Sequence, residues 1–385
     1  MGRSGRRRAS ARVRRRRRLV ATVAATVLVV ILVATVTISA LTRGASPPAA
    51  GGGASTVPAS SAPPTPEPTP LTPVETLLAT TDDPAACAVS FAGDSVDQAP
   101  ILQTQGTLYA GLPIPGRDGA VFAGWYATPE DADAFTISAR VNGSEMVACT
   151  DRQVTLHGAW KTPEDNAAED ARIPILMYHQ FTSNPEGESG WLRGNYAYIG
   201  DFDAHMNHIA TGGFYLPTWD ELSAFIDGRL WLPNRSVIVT DDDADQTWFD
   251  LAVPVVDKYQ VLSTSFMITA YRQDPAPSPY VLRRSHTHDM HQAGANGDGR
   301  ITNYAVPEIV ADMEASAQVL GVKEVMAYPF GHYNETAKEG LRQAGFEMAR
   351  TIEPGYVTIG TDKLALPTIR INYGMGLDAL VNLIG

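Results

Sequence analysis

The chain has 385 residues, 44% hydrophobic and 19% charged, a globular composition long enough for two domains, which excludes a wholly disordered or collagen-like protein. Its net charge of −12 is unevenly spread: residues 1–43 hold 11 of the 30 Lys and Arg and none of the 42 acids, so the remainder carries a formal −23. A body this acidic disfavours nucleic acid and anionic lipid and leaves neutral glycans or cationic polymers as partners.

Residues 1–18 contain ten arginines, and residues 19–41, LVATVAATVLVVILVATVTISAL, contain no charge. The uncharged run is long enough to span a bilayer as a helix and longer than the apolar core of a cleavable signal peptide. The arginine block before it is a basic cytoplasmic tail that sets topology, placing the C-terminal part outside a cell membrane of bacterial type. Residues 42–75, mostly Pro, Ala, Gly, Ser and Thr, read as a disordered linker with almost nothing to bury.

Residues 76–162 read as a small β-rich domain of short alternating runs at 87–91, 106–112, 120–126 and 153–160. Cys87 and Cys149, the only cysteines, both fall here, and outside the membrane they are expected to pair. The stretch LPIPGRDGAVFAGWYATPED, followed by VTLHGAW, resembles the Listeria–Bacteroides type of cell-surface repeat, a small β-grasp-like module. The resemblance implies a spacer or adhesive element, with Trp125 and Trp160 in its core.

From residue 171 to 385 the periodicity changes. Strand-like runs at 173–179, 236–240, 263–270, 280–287 and 324–330 alternate with helical stretches at 201–213, 251–260 and 306–321. Such alternation implies a parallel sheet, and this many repeats favour an α/β fold closed into a (β/α) barrel, with chemistry at the C-terminal strand ends. The polar clusters fall there: His179, then Asp241, Asp242 and Asp243, then SHTHDMH (285–291), then YPFG (328–331). Three consecutive aspartates raise one another's pKa and call for a compensating cation.

LMYHQF, VTDDDAD, SHTHDMH and AYPFGHYNETAKEGLRQAGFEMARTIEPG, in that order, resemble the NodB-type polysaccharide deacetylases, carbohydrate esterase family 4, over roughly residues 172–385. The resemblance implies a distorted (β/α) barrel that removes acetyl groups from a cell-surface or extracellular polysaccharide, foremost by N-deacetylation of an N-acetylglucosamine polymer or peptidoglycan. It implies a divalent metal, usually zinc, on Asp243, His286 and His291, where two imidazoles and a carboxylate leave positions open for water and substrate. Asp242 becomes the general base, and a backbone N–H near Phe330 holds the oxyanion. The late L-x-x-H-D histidine of many members is missing, so His179 takes the part of the acid. Tyr328, Pro329, Phe330, Trp248 and Arg300 are expected to contact substrate.

This chain departs from the family pattern at three places. Asp241 replaces phenylalanine, Ala244 replaces glycine, and Ala327 stands where many members carry an arginine that pairs with the base. Those changes predict a raised pKa for Asp242, or a shift of roles by one residue. His288 is an alternative ligand or a supporting group, His205 and His208 read as surface or helix residues, and NGDGRIT (296–302) lacks the acids a calcium loop needs at its ends. Two other functions stay open: an O-acetyl polysaccharide esterase of the same fold, and a catalytically weakened glycan-binding module.

Overall fold

Local capping sets the first described helix, α1 (Pro73–Leu78): Thr72 and Glu75 form a reciprocal capping box and proline opens the first turn. The computed structural model describes residues 70–385. The basic tail, the apolar segment at 19–41 and most of the linker lie outside the described residues. Among the described residues no helix is long and apolar enough to cross a membrane.

Strands β1 (Ala86–Ala92), β2 (Ile101–Thr104), β3 (Val121–Tyr126), β4 (Arg140–Val141) and β5 (Gln153–Lys161) form one sheet in the order β2-β1-β5-β3-β4. β1 and β5 run parallel at its centre, and the other pairings are antiparallel. Helix α2 (Pro129–Ala134), capped by Thr128, joins β3 towards β4. Cys87 and Cys149 are bonded, with Cα atoms 6.1 Å apart, inside the normal range for a disulfide. Trp125 is buried against Phe122 and Phe91, whereas Trp160 is only half-buried.

After α3 (Pro163–Ala168) comes a closed barrel of seven parallel strands. Its strands are β6 (Ile175–Tyr178), β9 (Ile238–Asp243), β10 (Ser263–Met267), β11 (Val281–Ser285), β12 (Val325–Ala327), β13 (Met348–Pro354) and β14 (Leu366–Arg370). A short pair, β7 (Gln180–Thr182) and β8 (Tyr196–Tyr198), follows β6. The helices are α4 (Ile199–Thr211), α5 (Trp219–Ile226), α6 (Val253–Tyr259), α7 (Val306–Leu320), α8 (Glu335–Ala344) and α9 (Leu377–Ile384). β9 differs from expectation in running through the aspartates: Asp241, Asp242 and Asp243 pair with Ser265, Phe266 and Met267 of β10.

The small sheet is no detached spacer. Ile175, Ile238, Val325, Met348 and Leu366, near the starts of five barrel strands, share one apolar cluster with Trp219, Leu222 and Phe225 of α5 and with Phe122 and Trp125 of the sheet. Backbone bonds join Phe122 to Arg229 and Trp231 at 3.0 and 2.8 Å. Inside this joint, buried Arg140 meets Glu221 at 3.3 Å and donates to the Trp231 carbonyl at 2.9 Å, while Asn142 donates to Glu221 at 2.6 Å. A shared core of this kind unfolds as one unit. Glu221→Ala leaves a buried guanidinium unpaired and is expected to cost about 3–5 kcal/mol while keeping a single urea transition. Two separate transitions, by tryptophan fluorescence and circular dichroism, would contradict the shared core.

Candidate active site

The C-terminal ends of β6, β9, β11 and β12 bring the sequence motifs together. Period-two alternation along β9 separates neighbouring aspartates. Asp242 is buried and pairs with the guanidinium of Arg350, a fully buried residue on β13. Asp242 Oδ2 also lies 3.7 Å from His179 Nε2. Burial pushes the Asp242 carboxyl up, but Arg350 and the nearby histidines pull it down further, so its pKa lies below the ordinary value.

The expected rise in the pKa of Asp242 is therefore corrected. Arg350, reaching across from another strand, supplies the cation that Ala327 lacks. Asp241 behaves oppositely: it is fully buried, neither oxygen has a hydrogen-bond partner, and burial with the neighbouring aspartates pushes its pKa well above normal. Its neutral form is thereby favoured.

Asp243, His286 and His291 place one donor atom each within 4.8 Å of one another. Asp243 Oδ1 is 3.4 Å from His286 Nε2 and 3.2 Å from His291 Nε2, and no hydrogen bond satisfies this buried oxygen. His286 Nδ1 is 2.8 Å from the Ala327 carbonyl, to which it donates, so the Nε2 lone pair turns towards Asp243. Two imidazoles, one carboxylate and an orphaned carboxylate oxygen suit a divalent cation. Asp243 sits at a φ of 75° and Ala244 at 49°, so the glycine of the family pattern is replaced by an alanine held in the left-handed region.

Helix α7 holds the turn between the two histidines. Asp312 accepts the backbone N–H groups of His288 and Asp289 at 2.7 and 2.8 Å. One turn on, Ser316 meets Ser285 at 2.7 Å, and Ser285 accepts the N–H of Thr287, whose φ is 70°. Asp312 and Ser316 are four apart on one helix face, a spacing that no motif in the sequence marked as functional. His288 itself turns to Thr269, 3.0 Å away, which fits a supporting group.

The substrate-contact expectations divide. Phe330 is 43% exposed and its ring lies 4.4 Å from that of His291. Trp248 is completely buried among Phe181, Phe202 and neighbouring apolar groups, so it cannot touch a substrate. Tyr328 is corrected likewise: it is 1% exposed, stacks on Tyr333 and donates to the Leu364 carbonyl. Pro329 is buried, and Arg300 is occupied in bonding Asp289 and Gln292. His205, expected as a surface or helix residue, lies in α4 with its side chain buried against the hydroxyl of Tyr178 at 3.0 Å. His332 accepts the Gly299 N–H at 2.8 Å and ties down the loop that contains NGDGRIT.

Comparison with known proteins finds relatives over this part of the chain. The family model for polysaccharide deacetylases matches residues 232–349, from before β9 to one residue short of Arg350. A Bacillus subtilis protein, YxkH, named as a candidate polysaccharide deacetylase, is 24% identical over 218 residues, 53% of this chain and 73% of its own length. The poly-beta-1,6-N-acetyl-D-glucosamine N-deacetylase of Staphylococcus aureus strain MRSA252 is 26% identical over 161 residues, 36% of this chain and 56% of that protein. The chain thus spans little more than half the length of that relative. The structure of Streptococcus pyogenes deacetylase PplD in complex with acetate aligns with 56% of this chain and 99% of its own, at 19% identity and a TM-score of 0.47. Residues 232–349 thus match the polysaccharide deacetylase family, and the aligned relatives are named as deacetylases. The β-grasp-like surface repeat is not among these matches.

Replacing Arg350 tests the electrostatics of the site. Asp242 is depressed in the folded protein, so its ionised form persists to low pH; Arg350→Met removes the depressing charge and should move the acid limb of the pH–rate profile to higher pH. An acid limb that stays in place would show that Arg350 does not set the ionisation of Asp242.

Proposed function

We propose that the barrel removes N-acetyl groups from a polysaccharide containing N-acetylglucosamine, at the outer face of a cell membrane to which residues 19–41 anchor the chain. The observation that carries this reading is the pairing of buried Asp242 with Arg350, one residue from a carboxylate-imidazole donor set. The name of the Staphylococcus aureus relative supports the choice of glycan. The membrane placement rests on the arginine-flanked apolar segment alone.

Asp243, His286 and His291 would hold the metal, zinc by the character of the donors, and when bound it polarises the amide carbonyl and makes a nucleophile available at neutral pH. Asp242 takes a proton from the attacking water at Oδ2. That proton has 3.7 Å to cross to His179 Nε2. Burial lowers the pKa of His179 although Asp242 and Asp243 raise it, so the ring begins neutral and is free to accept. His179 then delivers the proton to the amide nitrogen as the carbon–nitrogen bond breaks, giving acetate and a free amine. The N–H of Phe330, in a backbone turned by a φ of 59°, would donate to the developing charge on the carbonyl oxygen.

A catalytically weakened module was one expectation raised by the altered motif, in which Asp241 and Ala244 depart from the family pattern as well as Ala327. Arg350 removes the main ground for it, because the base has its cation from another strand.

The roles of the two aspartates are separable. Asp242→Asn should keep about one divalent ion per chain yet lose roughly 10²–10⁴-fold in turnover on N-acetylglucosamine oligomers. Asp243→Asn should lose the ion itself, since a neutral amide is the poorer ligand. Metal analysis beside a fluorescamine assay for new amines reads both. An Asp241→Asn variant that lost the ion while Asp243→Asn kept it would move every role one residue earlier.

A further inference from the structure

The loop between β7 and β8 (residues 183–195) follows the strand end that carries His179, and so stands at the mouth of the barrel where the candidate site opens. It is fastened along its length. At its base Thr182 donates to Glu188 at 2.6 Å, and within it Asn184 donates to the Gly187 carbonyl at 2.7 Å and Arg193 to the Glu186 carbonyl at 2.9 Å. Tyr373, just beyond β14, clamps it from outside. The Tyr373 hydroxyl donates to the Pro185 carbonyl at 2.7 Å, its backbone N–H donates to the Gly194 carbonyl at 3.3 Å, and the Arg193 guanidinium lies 4.6 Å over its ring. Gly187, at a φ of 74°, comes so close that a Cβ there would meet the Tyr373 ring at 2.5 Å. Arg370, the last residue of β14 and the neighbour of Met177 on β6, donates to Asn195 at 2.5 Å.

On this fixed loop Trp191 is 91% exposed, so both faces of its indole are open. Its place relative to the donor atoms is set by the barrel. β6 and β12 are separated by β14 and β13 one way round and by β9, β10 and β11 the other, so the loop after β6 stands across the mouth from the exposed ring of Phe330 after β12. Asp243 at the end of β9, and His286 and His291 after β11, lie on the arc between them. A polysaccharide lying from Phe330 to Trp191 therefore passes the donor set. An open indole takes the C–H face of a pyranose, and a loop already held loses little freedom when it does so.

We infer that Trp191 forms a glycan subsite on the rim of the barrel, stacking on a sugar unit of the same polymer other than the one being deacetylated. This rests on reading the barrel as acting on a polysaccharide. The subsite makes chain length a determinant of binding, because only a glycan long enough to reach the loop gains the contact.

The test is calorimetric binding to the purified full-length chain carrying Asp242→Asn, so that glycans bind without turnover, with N-acetylglucosamine dimer and hexamer in β-1,4- and β-1,6-linked forms. The hexamer of at least one linkage should bind more tightly than its dimer. Adding Trp191→Ala should weaken that hexamer about three- to tenfold, the range of one aromatic stacking contact, and weaken the dimer far less. Trp191→Phe, which keeps an aromatic face, should retain most of the hexamer affinity. In chains with Asp242 intact, Trp191→Ala should raise KM for the hexamer with kcat held. Hexamers that bind no better than dimers overturn the proposal, and so does a Trp191→Ala loss shared equally by dimer and hexamer. A chain that binds the hexamer through Trp191 yet, with Asp242 in place, releases no acetate from any N-acetylated glycan would leave the subsite standing and refute the reading of the barrel.

Discussion

The ion pair between Arg350 and Asp242 is the contact on which the site depends. Both side chains are buried, and neither is tolerable there alone, because an unpaired buried charge costs several kcal/mol. The pair also fixes geometry. Arg350 begins on β13, three strands away from β9 around the barrel through β14 and β6, so it reaches its partner only if the barrel closes. Closure therefore sets the electrostatics of Asp242, the base of the proposed reaction. Asp243, the next residue, is left to the two histidines, and Asp241, on the other face of the strand, has its ionised form disfavoured by burial.

Two further structures hold this centre rigid. Below, the first residues of the barrel strands rest on α5 and the small sheet in one continuous apolar layer, with Arg140, Glu221 and Asn142 satisfied inside it. Above, α7 grips the strained turn that carries His286 and His291 through Asp312 and Ser316. Preorganisation of this kind keeps donor atoms in place before any substrate arrives, which is where much of the rate enhancement in such sites originates.

The alternation of strand and helix was legible in the sequence, and with it the barrel class and the strand ends on which His179, Asp242, Asp243, His286 and His291 sit. What was not legible has identifiable causes. Arg350 lies 108 residues from Asp242, in MARTIEP, a run whose mixture of apolar and polar residues hides a barrel strand that buries a charge. Trp248 and Tyr328 sit next to motif residues in sequence, but helix and strand periodicity turn them into the core, so adjacency misled. The continuation of β9 through three aspartates defies strand propensity, and only the pairing with β10 supports it. The union of the small sheet with the barrel depends on buried polar contacts between segments about 80 residues apart, such as Arg140 with Glu221, which no local pattern announces.

The central claim is that this barrel hydrolyses an amide on a polysaccharide. Its most direct test is the stoichiometry of products from a poly-N-acetylglucosamine treated with the purified chain, with acetate measured enzymatically and new primary amines counted in the same sample. The account requires one amine for each acetate, both abolished by removal of divalent metal and restored by adding it back. Acetate released from an acetylated polysaccharide with no accompanying amine would contradict it, because the bond broken would then be an ester.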